Sequence, residues 1–427
     1  MISSRFWGET ETSCSTAAYW GYLHCDPTAS HYLKVLLDAI FGPENFRNEI
    51  MWHYGGRGAK AVASQFPRNH DVLLLYSKAD GEQVHNRQYL TRRYTPDEAR
   101  ARGLRQDPDG RWFKTAPRGD YTDDSVSRLE KEGRIHRTRT GSVRVKYFLG
   151  GSAGSVEEAV LVGDTWNDIP DAMHLGHELL GYPTQKPLAL LERVLAASSN
   201  PGDVVLDPFC GCGTALVAAQ KLDRRWIGID VTYLSIAVMR ARLKDSFALV
   251  DVPVVGQPTE VEGARAMLVG TGLEGQYQFQ WWALDLIGAQ PQGGAQKKGA
   301  DRGIDGVISF STGPRGEMGR ALVSVKSGSV NSSQIRDLKG VLDREKAEIG
   351  LFVTLEEPSG PMQLEATTAG VYTSALSGRD YPRIQILTIR ELLEGNIRPN
   401  LPVLVLPAFQ QAERVAKKAA EQGELFG

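Results

Sequence analysis

One segment constrains the fold of this chain more than any other: residues 204–214, which read VVLDPFCGCGT. Its apolar start predicts a short buried strand, and its glycines let the backbone turn tightly and approach a ligand closely. A helix is predicted at Ala215–Ala219 and a second strand at Trp226–Ile229. Strand, loop, helix and strand make one unit of a doubly wound α/β sheet, in which ligands bind at the carboxyl ends of the strands.

Both predicted strands are followed by an acidic residue. Asp207 ends the first strand, and Asp230 ends the second. A carboxylate at the second position can accept hydrogen bonds from both hydroxyls of a ribose. A glycine-rich loop alone is weak support for a ligand, since ordinary strand-to-helix turns also use glycine. The second acid makes a nucleoside ligand the better interpretation.

Three segments in a fixed order resemble the DNA amino-methyltransferases of the permuted β class. They are Y-P-T-Q-K-P at 182–187, the helix predicted at Leu188–Ser198, and the D-P-F-C-G-C-G-T loop at 207–214. The resemblance implies a Rossmann-like sheet that binds S-adenosylmethionine and methylates an exocyclic amine in double-stranded DNA, with adenine favoured and cytosine open. It further implies that the cofactor is held by Thr184, Gln185, Lys186, Pro187, Asp207, Phe209, Gly211, Gly213 and Asp230.

The family's catalytic tetrapeptide, D/S-P-P-Y/F/W, is not found in the sequence. In relatives it stacks on a base that has left the duplex and accepts hydrogen bonds from its amine. Asp26-Pro27-Thr28-Ala29 shares only the first two letters. We therefore expect the N-terminal catalytic segment to be missing, so that no catalytic residue is assigned. We also expect weak or no cofactor binding and little methylation. The alternatives are a truncated fragment of a restriction-modification protein, a DNA-binding pseudoenzyme, and a methyltransferase acting on RNA or a small molecule.

An arginine-rich stretch lies between the two predicted halves of the methyltransferase sheet. From Arg87 to Lys146 there are 16 Lys and Arg against 9 Asp and Glu, although the whole chain has a net charge of -2. A local positive excess suits contact with phosphates. The alternative is a solvated charged face. The candidates for DNA contact are Arg111, Arg134, Arg137 and Arg139.

The C-terminal third predicts a second α/β unit with nuclease-like spacing. Asp305 precedes one predicted strand, and Ser324 and Lys326 lie on the next. This pattern resembles the Mrr-like branch of the PD-(D/E)xK nucleases, which implies Mg²⁺ bound by Asp305 and water oriented by Lys326. Ser324 stands where the family has Glu or Gln, and a hydroxyl is a poor ligand for a hard cation. Gln280 stands where an acidic helper is expected. A DNA-binding or structural relic is therefore favoured over active cleavage, and an ordinary α/β unit is the remaining alternative.

The whole chain is expected to contain six regions in order. They are a target-base half incomplete at its N-terminus (1–78), a target-recognition insertion (79–150), an S-adenosylmethionine-binding half (151–250), a linker (251–275), a nuclease-like domain (276–400), and a C-terminal helix and tail (401–427). The tail ends in Q-x-x-L-F at 422–426, which resembles peptides that dock on sliding clamps. A restriction subunit is the other possible partner, and a tail packed on its own domain is the alternative.

Compartment predictions follow from what the sequence lacks. The four cysteines have no zinc-type spacing or disulfide framework, which suits a reducing environment. We find no signal peptide and no apolar run of about 18 residues. We expect a cytoplasmic protein without a membrane segment.

Overall fold

The computed structural model describes most of the chain, in two compact units. One unit comprises residues 23–168 and 196–199, and the other comprises 1–22, 169–195 and 200–427. The described residues are 2–4, 19–55, 66, 68–78, 83–151, 154–176, 178–180, 182, 184–249, 252–269, 271–292, 303–313, 317–395 and 397–402.

The first part of the smaller unit is a sheet covered by one helix. The strand Phe46–His53 pairs antiparallel with His70–Ser77 and parallel with Thr165–Trp166. The helix Pro27–Phe41 packs on this sheet, followed by a 3₁₀ turn at Pro43–Asn45. The core beneath the helix is built from Val72, Leu74, Tyr76, Leu23, Leu33 and Leu37.

The arginine-rich stretch folds into two small sheets in the same unit. The first has four strands in the order Arg105–Gln106, Trp112–Pro117, Val143–Phe148 and Ile135–Arg137. The second pairs Tyr89–Tyr94 with Val156–Leu161, antiparallel. Two helices, Pro96–Ala101 and Asp123–Lys131, begin at Thr95 and Thr122, whose hydroxyls accept from backbone amides of the first turn.

The larger unit contains the predicted strand-loop-helix-strand segment. The strand Val204–Asp207 pairs in parallel with Arg225–Gly228 and antiparallel with Ile2–Ser4, which in turn pairs with the start of Tyr19–Cys25. The helices are Leu188–Ser198, Thr214–Lys221 and Tyr233–Phe247, with a 3₁₀ turn at Ala172–His174. The predicted strands and helices are confirmed, and the fold is α/β and Rossmann-like.

The C-terminal part of this unit is a five-stranded sheet with helices on both faces. Its strand order is Gln290–Pro291, Gly306–Ser311, Met318–Lys326, Ile349–Thr354 and Ile384–Thr388, with parallel pairing among the last three. One face packs on Gly272–Leu286 and the other on Ser332–Glu345 and Gly360–Thr368. The remaining elements are Val371–Thr373, Asp380–Pro382 and Ile389–Leu393.

The segments before and after the five-stranded sheet were expected to be a linker and a tail. The stretch 251–275, expected to be a linker, contains the helix Val261–Ala266 and the start of the helix Gly272–Leu286. Val261 and Ala264 are one helical turn apart and both are buried in the core of the five-stranded sheet, so this segment is packed structure. The Q-x-x-L-F tail lies outside the described residues. Among the helices that are described, none has the length and apolarity that a bilayer crossing requires.

Candidate functional site

The glycine loop, residues 208–213, joins the strand Val204–Asp207 to the helix Thr214–Lys221. Gly211 and Gly213 have φ values of 49° and 75°, in the region that favours glycine. A Cβ atom on Gly213 would lie 2.7 Å from Cγ of Met239, on the helix Tyr233–Phe247. The loop therefore requires glycine at this position both for its backbone conformation and for its packing.

Asp230 is tied to the glycine loop by its carboxylate. Its Oδ2 accepts from the amide of Gly211 at 2.9 Å, and its Oδ1 accepts from the amide and hydroxyl of Thr232 at 2.9 and 3.1 Å. A carboxylate has about four acceptor positions. One position therefore remains for a ligand hydroxyl, and a second bond to a ribose diol requires exchange of one internal bond.

The T-Q-K-P segment reaches the same loop from the other side. Gln185 is buried, and its side chain bonds the amide of Leu180 at 3.0 Å and the carbonyl of Glu178 at 2.6 Å. The carbonyl of Lys186 accepts from the Thr214 hydroxyl at 3.3 Å. Gln185 thus shapes the segment, and the main chain of Lys186 joins it to the loop. Thr184 is exposed with a φ of 62°, and Pro187 is buried.

Phe209 is the aromatic residue of the loop, and 84% of its surface is accessible. Its amide donates to Oδ1 of Asp207 at 3.3 Å, which holds the turn after the strand. Phe209 therefore offers an aromatic face for a bound molecule.

A cleft of about 760 Å³ opens at the end of the second strand. Its size lies within the range of roughly 300–1,000 Å³ that small-molecule sites occupy. Of the nine predicted cofactor residues, Asp230 lines this cleft and the other eight do not. The lining consists of Leu216, Trp226 to Tyr233, Ile236, Met239, Arg240 and Val252 to Gly256.

Three further side chains belong to the site although their role was not predicted. The hydroxyl of Tyr182 bonds that of Ser235 at 2.8 Å, and the Tyr182 ring lies against Gly211. Burial raises the pKa of this phenol. Arg242 is buried beneath the loop and donates to the Thr214 hydroxyl at 2.9 Å. Arg242 lies three residues after the buried Met239 on the same helix, but no apolar stripe in the sequence marked it as buried.

The two loop cysteines are packing residues. Cys210 and Cys212 are both buried. Burial raises the pKa of the Cys210 thiol to about 12, so it remains protonated at neutral pH. Both side chains therefore fill space in the loop.

Asp26 serves as a helix cap. Its carboxylate accepts from the amides of Thr28 and Ala29 at 2.8 and 3.1 Å, where the helix Pro27–Phe41 begins. Two residues earlier, His24 pairs with Asp71 at 2.9 Å and meets Trp52 edge-on. Asp26 and Pro27 therefore start a helix, and neither is needed for catalysis to explain its presence.

Three of the four arginines proposed to contact DNA bind carboxylates in their own unit. Arg111 pairs with Asp109 at 2.6 Å, Arg134 with Glu132 at 3.8 Å, and Arg137 with Glu130 at 2.9 Å. Arg139 is exposed at the tip of a hairpin whose turn is closed by a 2.9 Å bond from Gly141 to Thr138. In the described part of the chain, no carboxylate pairs with Arg139.

The nuclease-like candidates come together at adjacent strands. Asp305 precedes the strand Gly306–Ser311, and Ser324 and Lys326 lie on the neighbouring strand. Oδ2 of Asp305 accepts from the amide of Val325 at 2.7 Å, and Oδ1 accepts from the Gln280 amide group at 3.0 Å. Ser324 is buried. Among the residues described, no group of three or more His, Cys, Asp or Glu could hold a metal.

Comparison with known proteins extends these observations. The model of the DNA methylase family matches residues 20–238. A second model, described as NACHT-associated inactive Restriction Endonuclease 1, matches residues 282–394. The chain is 33% identical over 230 residues to the type II methyltransferase M.EcaI of Enterobacter cloacae, covering 49% of each chain. It is 45% identical over 80 residues to the DNA adenine methyltransferase YhdJ of Escherichia coli, covering 18% of this chain and 27% of YhdJ.

The chain belongs to the DNA methylase family of N6 and N4 amino-methyltransferases, since the family model covers half of it. It spans about half the length of M.EcaI, and between 21% and 27% of YhdJ and two further type II methyltransferases. Among solved structures, the complex of M1.HpyAVI with SAM matches 52% of this chain and 72% of that chain, with 17% identity and a TM-score of 0.30.

Proposed function

We propose that the glycine-loop half binds S-adenosylmethionine, and that the protein acts on an exocyclic amino group of a base in double-stranded DNA, with adenine favoured. The observation that carries the proposal is the hydrogen bond from Gly211 to Asp230, which joins the loop to the acidic strand end in one preformed site. Family membership supports the same reaction class.

The residues present fit this cofactor. The remaining acceptor position on Asp230 suits a ribose hydroxyl, and the adjoining cleft has apolar walls suited to a purine. Phe209 adds an exposed ring beside the loop. The start of the helix Thr214–Lys221 has no side-chain cap, so its amides favour a carboxylate.

When bound, S-adenosylmethionine supplies an electrophilic methyl group on its sulfonium sulfur. The chain's own residues bind and orient: Asp230 takes the ribose, and the glycine loop lies along the ligand. The Cys210 thiol, held protonated by burial, does not compete as a nucleophile. No general base is assigned, because transfer from a sulfonium to an amine does not depend on a histidine.

DNA contact is assigned to the arginine-rich sheets. Exposed ion pairs such as Arg137 with Glu130 contribute about 0–1 kcal/mol each, so a phosphate can replace the carboxylate at little cost. Arg139, at a hairpin tip, has no such partner to give up among the described residues. We therefore rank Arg139 first among the four candidates.

A DNA-binding pseudoenzyme is the second candidate function. The observation that supports this second candidate is that the 427 residues contain no D/S-P-P-Y/F/W sequence to receive a flipped base. We propose accordingly that this chain transfers methyl slowly even when cofactor is bound. The sequence led us to expect weak or no cofactor binding. The preformed glycine loop, held by the bond from Gly211 to Asp230, instead favours binding of the cofactor.

For the C-terminal sheet we propose a structural or DNA-binding relic of a nuclease. Both Asp305 oxygens accept hydrogen bonds from protein groups, and Ser324 replaces the second acidic or amide ligand. The family model matching this region carries the word inactive in its description. Mg²⁺ at Asp305 would share the carboxylate with the bonds from Val325 and Gln280.

The test uses the 427-residue chain with labelled S-adenosylmethionine and duplex DNA of mixed sequence. We expect saturable cofactor binding, DNA binding that weakens with salt, and methyl transfer far slower than that of a relative with the D/S-P-P-Y/F/W tetrapeptide. Methylation as fast as that of such a relative would refute the proposal of slow transfer. Absence of cofactor binding would refute the proposed function, and retention of tRNA in place of DNA would support an RNA methyltransferase.

A further inference from the structure

Arg242 carries a buried positive charge beneath the glycine loop. Only 5% of its surface is exposed. Its Nη1 donates to the hydroxyl of Thr214 at 2.9 Å, to the carbonyl of Cys212 at 3.3 Å, and to the sulfur of Cys212 at 3.7 Å. None of these acceptors is a carboxylate, and no carboxylate of the described residues forms an ion pair with this guanidinium.

A hydroxyl and a carbonyl can accept the hydrogen bonds of a guanidinium, but they do not balance its positive charge as a carboxylate would. A buried cation without a counter-charge is costly, and burial accordingly lowers the pKa of Arg242. Two groups oppose that effect: Cys212, which accepts from Arg242, and the carboxylate of Glu178, which lies beyond ion-pair distance. Glu178 is itself engaged, since its Oε2 accepts from the amide of Leu188 at 3.0 Å. The site thus has an excess of positive potential.

A second source of positive potential lies at the same place. Thr214 is the first residue of the helix Thr214–Lys221, and its N-cap, Gly213, provides no side-chain acceptor for the first-turn amides. The amino end of a helix carries about half a positive charge. Arg242 therefore adds a full charge directly behind a helix end that already favours anions.

The location also matches one end of the proposed cofactor. The Thr214 hydroxyl that accepts from Arg242 donates in turn to the carbonyl of Lys186, so the guanidinium lies where the glycine loop meets the T-Q-K-P segment. The resemblance to the DNA amino-methyltransferases implies that Thr184 to Pro187 line the methionine end of the ligand, so the α-carboxylate is expected at this junction. The anion that such a ligand brings is its α-carboxylate.

We propose that Arg242 is a positioning residue whose buried charge, acting through the glycine loop and the amides of the adjoining helix, attracts the α-carboxylate of S-adenosylmethionine. This proposal rests on the proposed function. A purely structural Arg242 would hold the loop in shape and would affect every ligand of the loop alike. A charge that recognises the carboxylate would affect only ligands that carry one.

The experiment compares two ligands by calorimetry: S-adenosylmethionine and its decarboxylated form, which differ by the carboxylate alone. We expect the unaltered chain to prefer the carboxylate form by about tenfold or more. Arg242→Gln should abolish that preference by weakening the binding of S-adenosylmethionine, with less than about a threefold change for the decarboxylated ligand. Arg242→Lys, which keeps the charge, should retain part of the preference.

Arg224→Gln is the matched control, because Arg224 is also partly buried and donates to a neutral acceptor, the carbonyl of Leu222. It precedes the strand Arg225–Gly228, away from the glycine loop, and should leave the preference unchanged. Equal losses for both ligands in Arg242→Gln would overturn the proposal in favour of a structural role. Should that variant not fold, equal affinities of the unaltered chain for both ligands would still overturn it. Binding of neither ligand by the unaltered chain would instead refute the proposed function.

Discussion

The amide of Gly211 donates a 2.9 Å hydrogen bond to the carboxylate of Asp230, which lies 19 residues further along the chain. This bond joins the glycine loop to the end of the next strand. It also means that Asp230 supports the loop before any ligand arrives. Ligand binding and the stability of the loop are therefore coupled through one side chain.

Replacing Asp230 by Asn should weaken cofactor binding by about tenfold or more, because an amide nitrogen then faces a backbone donor or a ligand hydroxyl. Calorimetric titration measures the loss. Asp223→Asn is the control, since Asp223 is exposed in a turn with a φ of 59° that Asn also tolerates. Undiminished binding in the Asp230 variant would contradict the assigned role.

Replacing Gly213 by Ala should destabilise the protein by about 1–3 kcal/mol, through its positive φ and its contact with Met239. Gly202→Ala provides the control, because Gly202 has a φ of 87° but nothing within 4 Å of an added Cβ. Urea unfolding of both variants separates the backbone effect from the clash. Equal losses would mean that the packing against Met239 adds nothing.

Asp285 should make stability fall with rising pH. It pairs with Arg240 at 3.0 Å, but burial dominates and raises its pKa. An unfolded aspartate loses its proton near pH 3.9, before the folded one does, so the folded state loses stability above that pH until it also ionises. Relative to Asp285→Asn, the unaltered chain should be less stable at pH 7 than at pH 4 in urea unfolding. A gain from pH 4 to pH 7 would contradict the direction.

Replacing Arg139 by Ala should weaken binding to duplex DNA and reduce the slope of log affinity against log salt by about 0.9. Replacing Arg137 should have a smaller effect, since Arg137 must first leave Glu130. Binding isotherms at several salt concentrations measure both. Equal slopes in the two variants would remove the distinction drawn between them.

Replacing Asp305 by Ala should cost roughly 1–3 kcal/mol of stability, because the Val325 amide loses its acceptor. We expect no Mg²⁺-dependent DNA cleavage from the unaltered chain, and the substitution should not alter that. Unfolding curves and a plasmid-nicking assay test the two parts. Mg²⁺-dependent nicking that Asp305→Ala abolishes would show an active nuclease instead.

Local sequence signals predicted the strand-loop-helix-strand segment well. Glycines, an apolar run and a strand-ending acid each act over a few residues, and the helix Leu188–Ser198 was predicted at its observed ends. The burial of Arg242 depends on tertiary packing, since its hydrogen bonds reach Cys212 and Thr214, about 30 residues away, and no local pattern encodes it. The packed helix Val261–Ala266 was missed because its Val, Pro and Gly-rich surroundings resemble a linker.

The central claim is that this chain holds S-adenosylmethionine at the glycine loop and Asp230. Isothermal titration of the 427-residue chain with S-adenosylmethionine tests it most directly, with Asp230→Asn alongside. The account predicts one saturable site with a Kd below about 100 μM, weakened about tenfold or more in the variant while its melting temperature shows it folded. No binding at millimolar ligand, or equal binding by both proteins, would contradict it.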